Sequence, residues 1–278
     1  MAGDNNGENM AKETDHTTEY GDKDFDFFKE SSRIKDAVDH FLKDEEVVWE
    51  LCKESIMRKM NLVFARRSQS NFRDSSTVLH KSKNINEGMV NIKDLETCST
   101  YKCVSEQERR GHTFKTEAVL KGNAQKIVDL LNPSKPYRVK WDTNLVETSV
   151  VEKIDDNRLV VHHTQRSQLL GLVAAREFLY ICYLETSSPT ITNIYFGSVD
   201  HHLKPVLKHS VRGEFFPCVF SLEQISGSEE TKVTSILNFE MNLPWLIPIG
   251  IIEAAVPKEI QRFYQELEDA VVEIDTSV

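Results

Sequence analysis

The sequence has no apolar run long enough to cross a bilayer as a helix. Its longest, Leu243 to Val256, covers 14 residues, is broken by Pro244 and Pro248 and contains Glu253. CxxC spacing is missing too: Cys52, Cys98, Cys103, Cys182 and Cys218 form an odd set without disulfide or metal-site spacing. That usage suits a reducing compartment, and with no apolar segment after a basic start, a cytoplasmic protein is expected. No basic stripe runs through the strand-rich part and the net charge is −10, which argues against nucleic acid as a partner. A Gly-x-Ser-x-Gly elbow or other nucleophile motif is absent, so no hydrolase chemistry is expected.

What is present divides unevenly along the 278 residues. The first 30 carry nine acids against Lys12, Lys23 and Lys29 and almost no aliphatic residue, the composition of a disordered acidic tail. Residues 31–278 are expected to form one domain. Ile34, Ala37, Val38, Phe41 and Leu42 recur at helical spacing, and Val47, Val48 and Leu51 extend the pattern, predicting a helix from about Glu30 to Cys52. From Met57 to Asn91, seven lysines and arginines oppose only Asp74 and Glu87 without sustained periodicity. This basic loop insertion is either a solvated excursion or a contact for anionic membrane.

Strand-like segments follow, bounded by turn residues: 99–105, 112–121, 145–154, 158–164, 176–184, 191–199, 211–223 and 231–241. A short helix at Asn123 to Leu131 interrupts them, with Asn123 as its N-cap. Asp155-Asp156-Asn157 and Ser226-Gly227-Ser228 read as hairpin turns. At the end, Ile252, Val256, Ile260, Phe263, Leu267, Ala270 and Ile274 form the apolar stripe of one amphipathic helix. Strands in series followed by a long helix predict an α+β fold, in which a curved antiparallel sheet wraps the C-terminal helix and encloses an internal hydrophobic cavity.

Several segments carry a resemblance in the same order. They are Tyr137-Arg138-Val139-Lys140-Trp141-Asp142; Gln168 to Val173 followed by Ala174-Ala175-Arg176-Glu177-Phe178; Ser198-Val199-Asp200-His201; Val211-Arg212-Gly213-Glu214 with Pro217-Cys218; and Leu243-Pro244-Trp245-Leu246 leading to Ala255-Val256-Pro257-Lys258-Glu259. The set resembles the START family of helix-grip lipid carriers, most closely its compact cytosolic sterol-carrier subgroup. Ala175 stands where the family usually has proline. The resemblance implies a non-enzymatic carrier of a hydrophobic small molecule, a sterol preferred, that meets membranes transiently, works as a monomer and needs no cofactor. Many members have an acid at the position of His163 and an arginine at that of Cys182; this chain has neither, as in the sterol-carrier subgroup.

Alternation in the strands selects the side chains that can face such a cavity. Phe178, Tyr180 and Cys182 share one face, as do Leu159, Val161 and His163, and Ile194, Phe196 and Ser198. His163, Ser198, Asn238 and Cys182 are the candidate polar anchors, with Arg138 and Trp141 at the rim. Each has an ordinary alternative: His163 as a satisfied core residue, Asn238 bonded within the sheet, Cys182 merely packed, Arg138 paired with Asp142. Ile252, Val256, Ile260 and Phe263 would line the roof, and Leu172, in the aliphatic loop with Leu169, Leu170 and Val173, would help gate it. Burying about 500 Å² of apolar lipid surface at about 25 cal/mol per Å² contributes roughly 12 kcal/mol before association costs, so polar anchors mainly set orientation.

Three other readings stay open. A phospholipid, bile acid or pigment could be the cargo, although Asn144 stands where a choline cage would want an aromatic. The chain could be a helix-grip cyclase, which needs an acid–base pair in the cavity, or a ligand-sensing interaction module. His162–His163 and His201–His202 cannot each chelate one metal ion, because adjacent strand residues face opposite ways. Arg176, Glu177, Arg212 and Glu214 are expected to form structural charge pairs.

Overall fold

A computed structural model describes residues 26–43, 49–51, 98–104, 111–168, 171, 173–206, 210–245 and 247–274. The acidic tail up to residue 25, the basic insertion at 57–91, and Leu169, Leu170 and Leu172 of the aliphatic loop lie outside them.

The chain order is α1 (Phe27–Lys43), β1 (Trp49–Leu51), β2 (Cys98–Cys103), β3 (His112–Lys121), α2 (Ala124–Leu131), α3 (Arg138–Trp141), β4 (Leu145–Lys153), β5 (Arg158–Gln165), β6 (Arg176–Ser188), β7 (Ile191–Ser198), β8 (Glu214–Phe215), β9 (Cys218–Gln224), β10 (Glu230–Glu240) and α4 (Ile249–Glu273). Nine strands follow one another across a single curved sheet in the order β1-β2-β3-β10-β9-β7-β6-β5-β4, and the two-residue β8 pairs with β10. Neighbouring strands are antiparallel throughout.

Two expected elements differ. The first helix stops at Lys43 and Trp49–Leu51 is a strand on β2. The single strand expected over 211–223 is divided at Pro217, which cannot donate to a ladder. Asn123 does cap α2, its side chain accepting the Lys126 N–H at 2.9 Å.

Helices cover both faces of the sheet. On the convex side α1 lays Ile34 and Val38 on Val160, Leu179, Ile181, Tyr195, Val219 and Ile236. It sits so close to β7 that a Cβ on Gly197 would come within 3.0 Å of the Ile34 side chain. On the concave side α4 buries Ile260, Tyr264, Leu267, Ala270 and Val271 against the larger core. Double coverage explains why Arg176 through Cys182 on β6 are all buried, whereas the edge strand β4 keeps several exposed positions.

Candidate functional site

Between the concave face and α4 lies a cavity of about 190 Å³. Alternation supplies its walls: His163 and Gln165 from β5, Phe178, Tyr180 and Cys182 from β6, Ile194 and Phe196 from β7, Phe215 from β8, Phe220 from β9, and Leu237 and Phe239 from β10. The first half of α4 roofs it with Ile252, Ala255, Val256, Glu259, Ile260 and Phe263. Arg138, Asp142, Asn144 and Gln168 stand at one end.

Polar capacity inside is sparse and sits in two places. His163 Nδ1 lies 3.3 Å from the Tyr180 hydroxyl, and its Nε2 is buried without a partner among the described residues. Burial pushes the His163 pKa down to about 3, helped by the charges of Arg138 and His162, so the ring is neutral at physiological pH. Burial likewise pushes the Tyr180 pKa up, keeping a neutral hydroxyl beside it. One hydrogen-bonding position of this pair is therefore unmet among the described residues, whichever tautomer the imidazole adopts. Cys182 is a poor nucleophile, its thiol pushed up to about 12 by burial.

The second polar place is the rim. Arg138 pairs with Asp142 at 2.9 Å and lays its guanidinium over Trp141 and Phe263, 5.1 and 5.0 Å from the ring centroids. From the adjoining turn, the Thr143 N–H donates to Glu266 at 3.0 Å and the Asn144 amide to Glu259 at 3.1 Å. These contacts fasten the middle of α4 to the α3–β4 segment. Deeper along α4, the Tyr264 hydroxyl bonds Ser235 at 2.8 Å.

A model of the START domain matches residues 86–251, well over half of the chain. The chain belongs to the START domain family. Human StAR-related lipid transfer protein 5 is 26% identical over 162 residues, 58% of this chain and 76% of that protein. Human StAR-related lipid transfer protein 4 is 22% identical over 165 residues, 59% of this chain and 78% of that one. The solved structure of human StAR-related lipid transfer protein 5 superposes with a TM-score of 0.59 at 20% identity, over 80% of this chain and 99% of that one. Human STARD10 gives 0.53 at 19% identity, over 62% and 69%. The expected helix-grip architecture is therefore the family's own.

Within this START domain, the expected lining residues separate by place. Arg138, His163, Phe178, Tyr180, Cys182, Phe196, Ile252, Val256, Ile260 and Phe263 come together on the cavity wall. Four others are placed differently. Val161 is fully buried in the core but off the wall, and Trp141 is buried behind the rim, its indole N–H on the Leu130 carbonyl at 3.2 Å. Ser198 spends its hydroxyl accepting the Phe215 N–H at 2.8 Å. Asn238 lies on the opposite face of β10 from Leu237 and Phe239, beside Ala37, Val38 and Phe41 of α1. Leu172 falls outside the described residues.

Phe215, Phe220, Phe239 and Met241 were not among the expected residues. For Phe220 the signal was there: it sits opposite Ile194 in the β7–β9 ladder and shares its face. Phe239 and Met241 could have been read from Leu237 by alternation. The expected charge pairs also re-sort. Glu177 joins Arg212 at 3.1 Å, with His162 at 3.1 Å and the Ser210 hydroxyl at 2.7 Å. Arg176 instead donates to the carbonyls of Met241 and Ala174 at 2.7 and 2.6 Å. His201 goes to Glu152 at 2.8 Å, so the histidine pairs serve separate carboxylates.

Proposed function

We propose that this START domain carries a single lipid, a sterol or a molecule of similar slender shape with one hydroxyl, and moves it between membranes. The observation that carries the reading is the predominantly aromatic and aliphatic cavity wall that bears the neutral, buried His163–Tyr180 pair. Such a wall removes apolar surface from water along the whole ligand, while one neutral hydrogen-bonding position fixes which end enters first. A charged or zwitterionic headgroup would find the charged groups of the lining already paired, Arg138 with Asp142 and Glu259 with Arg262.

A choline headgroup at the rim is disfavoured on a separate ground. The Trp141 ring that could hold a quaternary ammonium is buried and already covered by Arg138. The volume of about 190 Å³ is below the range of about 300–1,000 Å³ common for small-molecule pockets, so the roof moves outward when a sterol enters. Trp245, 90% exposed in the link between cavity-lining Leu243 and α4, would meet the bilayer interface, where an amphipathic ring is favoured. No helix of the described residues is long and apolar enough to cross a membrane.

Solvent extraction of the purified protein with mass spectrometry, followed by competition against a fluorescent sterol, tests the reading. Saturable displacement by unlabelled sterol is the expected result. A co-purified phospholipid with no sterol displacement would remove it.

A further inference from the structure

Phe215 is the least expected wall of the cavity and the most heavily braced. Its ring is stacked on Phe178 with centroids 4.4 Å apart and meets Phe196, Tyr180 and His163 edge-on at 5.2, 5.5 and 5.7 Å. It thus touches every interior aromatic on β6 and the one polar corner. Yet it stands on β8, a strand of two residues with only two register pairs to β10. Such a fragment would not hold a ring in place by itself.

Its backbone is fixed instead by side chains and by the buried charge cluster. The Phe215 N–H donates to Ser198 Oγ at 2.8 Å and the Phe216 N–H to the Asn238 carbonyl at 2.9 Å. Just before the strand, the Gly213 N–H donates to the Glu177 carbonyl at 2.9 Å, while Arg212 and Ser210 hold the Glu177 carboxylate. Burial would raise that carboxyl, but the bonds from Ser210 and His162 and the Arg212 charge hold it below the ordinary value, so it stays ionised and keeps its partners. Only glycine fits at 213: a Cβ there would lie 2.5 Å from the Phe178 ring. The segment is pressed directly against the ring on which Phe215 stacks.

We infer that Phe215 is a fixed partition that sets the cross-section of the cavity and so selects slender ring lipids over two-chain lipids, with Ser198 and Glu177 as its positioning residues. This rests on the carrier reading above. A ring held at backbone, flank and face cannot yield cheaply to a wider ligand, because packed interiors resist added volume. Truncating it enlarges the cavity between the rings of Phe178, Tyr180 and Phe196.

The test measures binding of a fluorescent sterol and of a fluorescent phosphatidylcholine to the full-length protein and to Phe215→Ala and Phe215→Leu. Thermal unfolding is followed alongside, and the leucine variant keeps most of the buried volume if the alanine variant folds poorly. Wild-type protein is expected to favour the sterol. The ratio of phosphatidylcholine to sterol affinity should rise about tenfold or more in Phe215→Ala and by less in Phe215→Leu, the scale on which apolar pockets discriminate by shape. Ser198→Ala should move the ratio the same way by a smaller factor, which a loss of stability alone would not do. An unchanged ratio in both Phe215 variants, with sterol still bound, overturns the inference and leaves the carrier reading standing. Failure of the wild-type protein to bind either probe removes the carrier reading, and this inference with it.

Discussion

The two faces of one sheet are covered by two helices, and both coverings leave space: about 190 Å³ lined by 26 residues under α4, and about 180 Å³ lined by seven beside α1. On the convex face, α1 brings small and β-branched contacts, Ile34 and Val38, down onto Leu179 and Ile181, which are both fully buried. On the concave face, α4 meets large rings, Phe178, Phe196, Phe215 and Phe220, that stack on one another before they reach the helix. Under α4 the lining is rich in aromatic rings braced on one another, whereas on the α1 side aliphatic side chains dominate the contact. The difference in lining between the two spaces lies in which residue types alternate strand positions present to each side.

The largest way to break that contrast is to make the same truncation on both sides. Ile181→Ala on the convex face is expected to cost about 4 kcal/mol, near the top of the range for a buried isoleucine that leaves a void in tight packing. Ile260→Ala on α4 should cost about 2 kcal/mol, because that side chain already borders open volume. Urea unfolding midpoints at unchanged slope measure both. Equal losses would mean that the two faces are packed alike.

The contrast was partly legible beforehand. Period-two alternation placed Phe178, Tyr180, Cys182, His163 and Phe196 on one side, and the stripe Ile252, Val256, Ile260 and Phe263 marked the roof, because both signals depend only on local geometry. What failed depended on tertiary partners. Ser198 is on the predicted face, but its Oγ accepts a backbone N–H seventeen residues away, and nothing in the local pattern announces that. Asn238 is a polar residue in an apolar strand, but the parity of Leu237 and Phe239 assigns it to the α1 side. Phe215 sits in a strand too short to show any period, and Arg176 neutralises no acid beside it because carbonyls of the β10–α4 link are nearer.

A second test uses adjacent residues of β5 that face opposite ways. His163 is held neutral in the folded protein at a pKa of about 3, while an unfolded histidine takes up its proton near 6.5. The unfolded state therefore binds more protons between these values, so stability is complete above about pH 6.5 and falls as the pH drops through that window, by about 1.4 kcal/mol per unit. Near pH 5 the loss attributable to this ring is about 2 kcal/mol. Denaturation of His163→Gln and wild-type protein from pH 7 to 4.5 should show the variant losing that part of the slope. Identical slopes would place the imidazole in contact with water and contradict a dry concave face.

The smallest expected effect concerns how each helix is tied down by charge. Lys35 on α1 reaches Glu185 on β6 at 2.6 Å, with the two side chains 32% and 22% exposed. The hydrogen bond to Glu185 raises the lysine pKa, so the tie is complete at neutral pH and would be lost only in strong alkali. Solvent screens such a pair and its long side chains lose freedom in forming it, so a double-mutant cycle of Lys35→Met and Glu185→Gln should give about 0.5 kcal/mol. The packing of Ile34 and Val38 beside it would then account for the docking of α1. A coupling of 2 kcal/mol or more would reverse that order: the convex helix would be held by its charge rather than by the packing of its apolar face.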